Sequence, residues 1–582
     1  MGRRGAAGNF NYNRLETGGY DAAGNNLSQT GDPFASFLLG QVHDANQSIY
    51  AQPTWFENYL SPWINAEFKV SPKLTLTAGL RLDYQTARTE ENDEYSTFDA
   101  NTPNPGAGGR PGAVIFAGSG TGRTGSRTFE HPDVDAWGPR AGFAYRVSDK
   151  TMLRGGYGMY YAGVAFSQFT GDPNLGFASN PAAPNTTNGL FPAFLLDQGF
   201  PQQSIRQPPF IDPTIANGAG VPAVSPDGLT LPRWQNWSLT FERRLTKNMM
   251  LDVSYIGNKG TRLNHHGQRA GLDYNMNDPS VLSLGAALLN SNINSPAAQN
   301  AGIKSPYPGF NGTVAQALRK YPQYQNIEWR GLPLGRSQYH ALEVVLEQRL
   351  SAGLQYRVGY TFSRLKNNGA ESGQGNEGLN GDVQDPVNWD TADYGLSVDD
   401  TPHVLLVGFT WDIGQGKWGG WSGAKKALLG GWNLSGILRY ESGRPLRINM
   451  DNDMGGLLFN TRKRPNRTGA DAVNAGGDFD PLTDNYFNRD AWQDPGPLTF
   501  GNAPPNDGSA RGFKVFNEDL TVSKSFDLKS DLKMRFVAEV GNIFNRTTFC
   551  GPNTNFSSPA FGTVNTQCNQ ARSVQFGLRL DY

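Results

Sequence analysis

The feature that most constrains this chain is an alternation of apolar and polar residues that recurs in long runs. From Leu74 to Tyr84, apolar residues occupy every second position, and Thr75, Thr77 and Arg81 fall between them. Successive side chains of a β-strand point to opposite faces, so the alternation predicts strands with one apolar and one polar face. Thirteen such runs occur, at residues 54–70, 73–88, 135–147, 150–162, 233–245, 248–258, 337–350, 354–365, 402–413, 431–443, 515–526, 531–543 and 571–582.

The length of these runs separates a membrane barrel from a soluble sheet. Most runs have 11 or more residues, whereas strands of soluble proteins usually have about 5–6. A tilted strand needs about 9–11 residues to cross a bilayer. Hydrocarbon offers no partner to backbone N–H and C=O groups, so spanning strands must close on themselves. We therefore predict an all-β fold, a large antiparallel transmembrane β-barrel of the outer-membrane type.

The connections between the runs alternate between short and long. The short ones, such as 70–74 and 350–354, have only a few residues, although 414–430 is longer. The long ones are rich in Pro, Gly, Asn and Asp and occupy 89–134, 163–232, 259–336, 366–401, 444–514 and 544–570. Outer-membrane barrels have short periplasmic turns and long extracellular loops, which this asymmetry matches.

The two faces of the runs predict which residues meet lipid and which meet water. The apolar face must contact hydrocarbon, and the polar face must line the lumen. The charged residues predicted to line the lumen and tune selectivity are Arg81, Arg154, Glu242, Arg357, Arg439, Arg535, Glu539 and Arg579. Their alternative role is structural, as cross-strand pairs that stiffen the wall. The aromatic residues predicted to form interfacial girdles are Trp63, Trp137, Tyr160, Tyr161, Trp237, Trp411 and Trp432.

Composition and motifs argue against other function classes. The formal net charge of −1 lacks the basic excess of a nucleic-acid binder. His265 and His266 have no third ligand at a fitting spacing, so we expect a solvated pair and no metal site. The acidic residues from Asp382 to Asp400 lack the EF-hand pattern, so a polar loop is favoured over a Ca²⁺ site. No nucleophile or acid–base set stands in a credible setting, and we predict neither an enzyme nor a cofactor.

The directions of the runs indicate a missing strand. The first and last runs both lead away from the long-loop side, while bacterial barrels have an even number of strands. We expect at least one more strand before residue 54, with 9–16 either that strand or loop structure. Residues 1–53 are thus predicted to be an extracellular loop or partial strand region and 54–582 the barrel. The basic start of the chain lacks the apolar core of an export signal, so we expect an incomplete N-terminus.

The two cysteines, Cys550 and Cys568, are too far apart for a CxxC motif. In an oxidising compartment they would pair, and closing a loop of this size stabilises by roughly 3 kcal/mol on the chain-entropy model. Two free thiols are the alternative.

Several segments, in their order along the chain, resemble the Oar-like branch of TonB-dependent receptors. In 34–40, Ser36 replaces the Asp usual in that family. The other segments that carry the resemblance are 74–81 (LTLTAGLR), 137–143 (WGPRAGF), 235–239 (QNWSL), 255–263 (YIGNKGTRL), 339–343 (YHALE), 360–364 (YTFSR), 430–436 (GGWNLSG), 442–445 (SGRP), 542–546 (NIFNR) and 576–580 (FGLRL).

The resemblance implies a barrel of about 22 strands in the cell outer membrane, with an N-terminal plug and a TonB box. It implies uptake of a bulky nutrient, driven by the TonB energy-coupling complex where a plug with a TonB box lies upstream. Siderophore, oligosaccharide and peptide all stay open as substrates. It also implies that the terminal strand is the signal for the barrel-assembly machinery, carried by Phe576, Leu578, Leu580 and Tyr582. The alternative is a passive barrel with an adhesin or surface-assembly role.

Overall fold

The computed structural model describes residues 8–49, 53–164, 174–201, 207–265, 274–330, 332–368, 383–413, 425, 428–458, 462–474, 479–529 and 532–581. Within them, long strands form one antiparallel sheet in which each strand pairs with its sequence neighbours. The strands are β1 (Trp63–Ser71), β2 (Leu74–Leu82), β3 (Trp137–Ser148), β4 (Thr151–Tyr161), β5 (Arg233–Arg244), β6 (Met249–His265), β7 (Leu332–Ser351), β8 (Leu354–Asn367), β9 (His403–Ile413), β10 (Trp432–Glu441), β11 (Val515–Lys529), β12 (Leu532–Gly541) and β13 (Ser573–Asp581).

These thirteen strands coincide one by one with the thirteen predicted runs, which confirms the predicted fold class. The short connections lie together at one end of the sheet, which we call the turn end, and the long connections lie at the other, the loop end. The ladder between β7 and β8 closes at Ser351 and Leu354. Ala352 and Gly353 between them both have positive φ, 53° and 83°, as a two-residue hairpin turn that follows the strand twist requires. The longer connection 414–430 lies largely outside the described residues.

The structure corrects the bounds of the first hairpin. The runs 54–70 and 73–88 predict continuous strands, but β1 begins only at Trp63. Pro62 has no N–H to donate to a ladder, so pairing is interrupted there. Beyond it, Tyr59–Leu60 resumes pairing with Tyr84–Gln85. By contrast, β6 and β7 extend further toward the loop end than predicted, with register shifts between Gly260 and His265.

The two edges of the sheet are β1 and β13, and every residue of both strands is exposed. Both strands run from the loop end to the turn end, so they cannot join each other as an antiparallel pair. Closing a barrel through these edges therefore takes an odd number of further strands. Asn9–Asn11 does not supply one, because it pairs with Asp44–Asn46 in a separate small sheet. Of the two alternatives for residues 9–16, the structure favours loop structure.

The cross-strand register carries two distinct faces through the whole sheet. Leu239 of β5 lies opposite Gly155 and Tyr255, and the neighbouring Ser238 lies opposite Gly156 and Ile256. We call the face that bears Leu239 the apolar face and the face that bears Ser238 the polar face. The exposed side chains of the apolar face include Ile64, Leu76, Leu80, Leu342, Phe362, Trp411, Phe536 and Phe576. The single predicted period of two thus holds across all thirteen strands.

The remaining elements lie at the loop end. The short strands are Asn9–Asn11, Gln41–Val42, Asp44–Asn46, Trp55–Phe56, Tyr59–Leu60, Tyr84–Gln85, Thr89–Glu90, Ser96–Asn104, Arg110–Phe116, Ala182–Ala183, Phe194–Leu195, Gly220–Val224, Asn326–Arg330, Gly395–Leu396, Pro445–Leu446, Asn466–Arg467, Trp492–Gln493 and Asp507–Arg511. The helices are Pro33–Leu38, Ala286–Leu289, Pro296–Asn300, Val314–Ala317, Trp389–Ala392 and Gly455–Leu458. Among the described residues, no helix is long and apolar enough to cross a membrane.

These elements build a folded body, which we call the loop lobe: the described residues of 8–62, 83–136, 162–232, 266–331, 368–402, 442–514 and 542–572. One of its cores packs Phe98 and Phe116 against Tyr321 and Tyr324. A second core lies in the C-terminal loops, and its buried residues are Ile448, Ala472, Tyr486, Phe487, Ala491, Trp492, Ala503, Ala510, Phe561 and Val564. Long loops of outer-membrane barrels are expected to be polar, so these aromatic cores are a finding that alternation alone does not predict.

Contacts between distant loops join the lobe into one body. A third core packs Leu289 and Val314 against Leu457, which lies in a different loop. The Asn277 side-chain amide donates to the carbonyls of Ala315 and Leu457, each at 2.8 Å. The N-terminal segment joins through Val42 and Ala45, which pack against Ala183, Phe194 and Phe200.

A disulfide joins Cys550 and Cys568, 18 residues apart. The backbone on both sides is paired, because Cys550 N–H donates to Thr566 O and Cys568 N–H donates to Thr548 O. Phe549, next to Cys550, packs against the second core. The cross-link therefore closes the loop 544–570 on itself, and the packing of Phe549 attaches this loop to the second core.

The two faces generate a direct test with adjacent residues. Leu239 is 47% exposed in the middle of β5, so Leu239→Arg places a charge in hydrocarbon and should lower the free energy of unfolding by about 2–4 kcal/mol. The matched control Ser238→Arg adds the same charge to the polar face, where water is available. Urea unfolding in lipid vesicles measures both. Equal losses for the two variants would contradict the assignment of the faces.

Because tyrosine side chains are buried in the loop lobe, we predict that the lobe loses its tertiary packing at alkaline pH. Burial raises the pKa of Tyr324 and of Tyr486 to about 12, whereas a phenol of the unfolded chain titrates near 10. The folded lobe holds the neutral phenols, so their contribution to stability is present below about pH 10 and is lost as the pH rises toward 12. Near-ultraviolet circular dichroism should fall in this range while the far-ultraviolet strand signal persists.

The Tyr486→Phe variant is the control for the alkaline transition, because it keeps the ring in the second core and removes one ionising group. Its transition should be shallower than that of the wild type. A near-ultraviolet signal that stays constant to pH 12 would show that the tyrosines are not buried as described.

Candidate functional site

The polar face of the sheet is its concave side. One cavity of about 1030 Å³ is bordered by β1 to β6 and lined by residues that include Thr77, Gly156 and Ser238. A second cavity of about 690 Å³ is bordered by β7 to β11, with Arg357 and Thr410 in its lining. A third, of about 350 Å³, lies at the turn end between β3 and β6. Since polar-face residues line all three, the sheet curves around its polar face.

The register places all eight predicted lumen residues on this polar face. Glu242 lies opposite Met152 and Asp252, in line with Arg154 two residues along β4. The other pairs that fix the placement are Arg81 with Gly138, Glu347 with Arg357, Leu406 with Arg439, Arg535 with Arg579, and Glu539 with Gln575. Their role in selectivity stays a prediction.

Three of the predicted residues, Arg154, Glu242 and Arg357, belong to a charged belt that crosses β4 to β8. Arg154 forms an ion pair with Glu242 on the next strand. On the far side of the belt, Arg357 Nη1 lies 3.6 Å from Glu347 Oε2. Asp252 sits between these pairs, directly opposite Glu242. Like charges facing each other across a ladder are destabilising, so the two arginines offset the repulsion among three carboxylates.

Sequence reasoning missed Asp252 and Glu347, although alternation places both on the polar face. Their importance depends on the register between strands, which sets Glu242 against Asp252 and Glu347 against Arg357. The sequence signal that could have found them is that each is a carboxylate at a polar-face position of a predicted strand.

Three other predicted arginines each pair with the carboxylate two residues further along the chain. Residues two apart on a strand share a face, and the side chains follow this rule. Arg439 Nε donates to Glu441 and Arg579 Nε to Asp581, each at 2.6 Å. Arg81 Nε donates to Asp83 at 2.8 Å. These pairs hold the guanidinium groups along the wall and do not tie neighbouring strands together.

The last two predicted residues, Arg535 and Glu539, share the polar face of β12 and stand four positions apart. Arg535 donates to Ser523 Oγ of β11 at 3.2 Å. Glu539, within the described part of the chain, forms no hydrogen bond or ion pair with its side chain. Its carboxylate is therefore available to the water-filled side of the wall.

The structure also shows an aromatic–cation contact that sequence reasoning did not identify. The Arg140 guanidinium lies 4.7 Å from the centroid of the Tyr160 ring. The ring lies over Gly158, where a Cβ would come within 2.6 Å of the Tyr160 hydroxyl. A side chain at position 158 would collide with this tyrosine, so only glycine fits there. Two further polar-face glycines, Gly142 and Gly156, line the same cavity as this pair.

The predicted aromatic girdles need a correction. Trp137, Tyr161, Trp237, Trp411 and Trp432 lie on the apolar face by register. Trp63 and Tyr160 do not, because they pair with Arg81 and Trp234 on the polar face. Their parity along the strand, not their distance from its end, decides which face they occupy.

The acidic loop residues engage arginines. Asp393 pairs with Arg464 in the lobe, and burial raises the pKa of this carboxyl. Arg511 Nη2 contacts Asp400 at 2.6 Å. Within the described residues no cluster has the ligands for a metal ion. Asp382, His266 and the side chain of His265 lie outside the described residues.

The predicted insertion signal lies on the edge strand β13. Phe576, Leu578 and Leu580 project from the apolar face and are exposed. Tyr582 lies outside the described residues.

Comparison with known structures gives distant matches. The outer membrane transporter YddB from Escherichia coli is 11% identical, with a TM-score of 0.36, over 92% of this chain and 54% of that chain. The ferripyoverdine receptor of the outer membrane of Pseudomonas aeruginosa is 11% identical, with a TM-score of 0.36, over 93% and 39%. The ferric-catecholate import receptor Fiu from E. coli K12 is 10% identical, with a TM-score of 0.35, over 92% and 45%.

The chain thus spans about half or less of the length of these three proteins. No curated protein sequence matches the chain. A family model does match, that of the outer membrane beta barrel domain, and its match extends over residues 2–575. Together with the antiparallel sheet and its two faces, this match establishes that the chain belongs to the outer membrane beta barrel domain family and resides in the outer membrane.

Proposed function

We propose that the chain forms the membrane wall and the extracellular lobe of a TonB-dependent receptor of the Oar-like branch, which takes up a bulky nutrient. The observation that carries this proposal is the concave polar face. Its cavities of about 1030 and 690 Å³ match the size of sites that hold small organic ligands, roughly 300–1000 Å³. They are lined by amides, hydroxyls and the Arg357 guanidinium, groups that bind polar solutes.

Two further features support a receptor of this type. The Oar-like segments run in order from 34–40 to 576–580, over nearly the whole chain. A barrel of about 22 strands would need an odd number of strands in addition to these thirteen. An odd number is also what two edge strands of the same direction require. In this proposal the partners are the lipid of the outer membrane, the barrel-assembly machinery and, through a plug with a TonB box, the TonB energy-coupling complex.

The loop lobe is also compatible with one alternative, a passive barrel that acts as an adhesin or in surface assembly. Its cores and the disulfide between Cys550 and Cys568 hold a large folded surface at the extracellular end. Such a surface suits capture of a nutrient and equally suits contact with another cell. The two roles differ in what crosses the membrane.

Uptake by cells that carry the complete natural gene tests the proposal. Labelled ferric siderophore, oligosaccharide and peptide are offered separately, at limiting concentration. We expect saturable accumulation of one class that stops when a protonophore collapses the inner-membrane gradient. Flux that is proportional to concentration and insensitive to the protonophore would contradict the receptor and support the passive barrel.

A pair of adjacent variants links uptake to the polar face. Arg357→Gln removes a cation from the second cavity and should lower the apparent affinity for the nutrient by about tenfold or more, the effect of one lost charge-assisted hydrogen bond. Stability should change little, because the Arg357 side chain is 66% exposed and its ion pair is long. Val358→Leu, on the apolar face of the same strand, is the control and should leave uptake unchanged. Equal effects of both variants would show that the cavity is not the route.

A further inference from the structure

The apolar face carries a group of cations at one place only, the loop end of β5 to β8. The residues are Arg233, Lys259, Arg336, Arg364 and Lys366. Within the bounds of the other described strands, β1 to β4 and β9 to β13, the loop end of the apolar face bears no lysine or arginine. Single cations, Lys514 and Arg572, lie one residue before β11 and β13, and Arg572 donates to the carbonyl of Ile543. A general interfacial anchor would surround the barrel, so this one-sided distribution needs a local reason.

The register draws three of these cations together. Lys259 of β6 lies opposite Gln338 of β7, and Gln338 lies opposite Lys366 of β8. One row nearer the membrane, Arg364 lies opposite His340. Strands in a sheet are about 4.8 Å apart, so the Cα atoms of Lys259 and Lys366 are separated by roughly 10 Å with Arg364 beside them.

Among the residues that the structure describes, these three cations have no counter-charge. The side chains of Lys259, Arg364 and Lys366 form no ion pair or hydrogen bond with the described part of the protein. Lys259 and Arg364 are exposed. The nearby carboxylate of Asp390 lies 3.5 Å from Arg336 and is taken by that residue. Like charges on adjacent strands repel, so an anion from outside the chain would stabilise this arrangement.

The polar residues between the cations are held in fixed orientations. The Gln338 Nε2 group donates to His340 Nε2 at 2.8 Å, and His340 Nδ1 lies 2.7 Å from the Tyr255 hydroxyl. The imidazole is stacked on the Tyr255 ring, with their centroids 6.0 Å apart. These contacts fix the side chains of Gln338, His340 and Tyr255 between the cations, and none of them neutralises a positive charge.

The cluster lies where the sheet leaves the hydrocarbon. Directly below it the apolar face presents the exposed side chains of Tyr255, Leu342 and Phe362. Lipid headgroups occupy the layer next to the hydrocarbon, and their phosphates are the anions available there. We propose that Lys259, Arg364 and Lys366 form a binding site for the phosphate of a lipid headgroup in the outer leaflet. The site does not depend on which nutrient the barrel takes up.

The test uses the full chain in nanodiscs of phosphatidylcholine that contain a small fraction of phosphatidic acid. Native mass spectrometry after release counts the phosphatidic acid retained per protein. Substitution of all three cations, Lys259→Gln, Arg364→Gln and Lys366→Gln, should lower retention about tenfold or more, since juxtamembrane cations each contribute to binding of anionic lipid. The control variant Arg146→Gln, Arg244→Gln and Arg349→Gln removes three positive charges from the polar face and should retain the lipid as the wild type does.

Four outcomes would overturn the proposal. The first is equal retention by the wild type and the triple variant in samples with the same far-ultraviolet circular dichroism. The second is equal loss in both triple variants, which would indicate long-range charge attraction. The third is equal retention of an anionic lipid with a carboxylate headgroup and no phosphate. Displacement of phosphatidic acid by millimolar inorganic phosphate would likewise assign the site to free phosphate and not to lipid.

Discussion

The whole structure depends on the need of backbone N–H and C=O groups for partners where water is absent. Each long strand from β2 to β12 satisfies this need with two antiparallel neighbours. Because such a ladder fixes side chains alternately on two faces, the same pairing that satisfies the backbone also sorts leucines toward lipid and charges toward the concave side. The charged belt around Asp252 and the cation cluster around Gln338 are both consequences of this register.

Local pattern was sufficient to predict the sheet. The thirteen strands, their short turns and the face of each residue follow from a period of two, which is readable within a single run such as 354–365. Where the prediction went wrong, the cause was also local. Pro62 interrupts the first hairpin, and the parity of Trp63 and Tyr160 places them on the polar face. The proline and the parity of the two aromatic residues can both be read from the sequence. The length of the run predicted a continuous strand in the first case, and closeness to the strand end predicted a girdle position in the second.

The loop lobe was beyond the reach of the same reasoning. Its first core brings Phe98 to Tyr324, and Asn277 reaches Leu457. Such contacts join loops that are separated by 180 or more residues, and no short pattern encodes them. The ion pairs of the polar face could be predicted from the sequence only in part. Their face follows from alternation, but the opposition of Glu242 and Asp252 requires the register between two strands.

The most direct measurement of the central claim is the accessibility of spin labels placed one at a time along β8, from Gln355 to Ser363, in lipid vesicles. Molecular oxygen concentrates in hydrocarbon and a nickel chelate stays in water. The account predicts that collisions with oxygen peak at Tyr356, Val358, Tyr360 and Phe362, and that collisions with nickel peak at the residues between them. Accessibility without a period of two, or with the two probes peaking at the same residues, would contradict it.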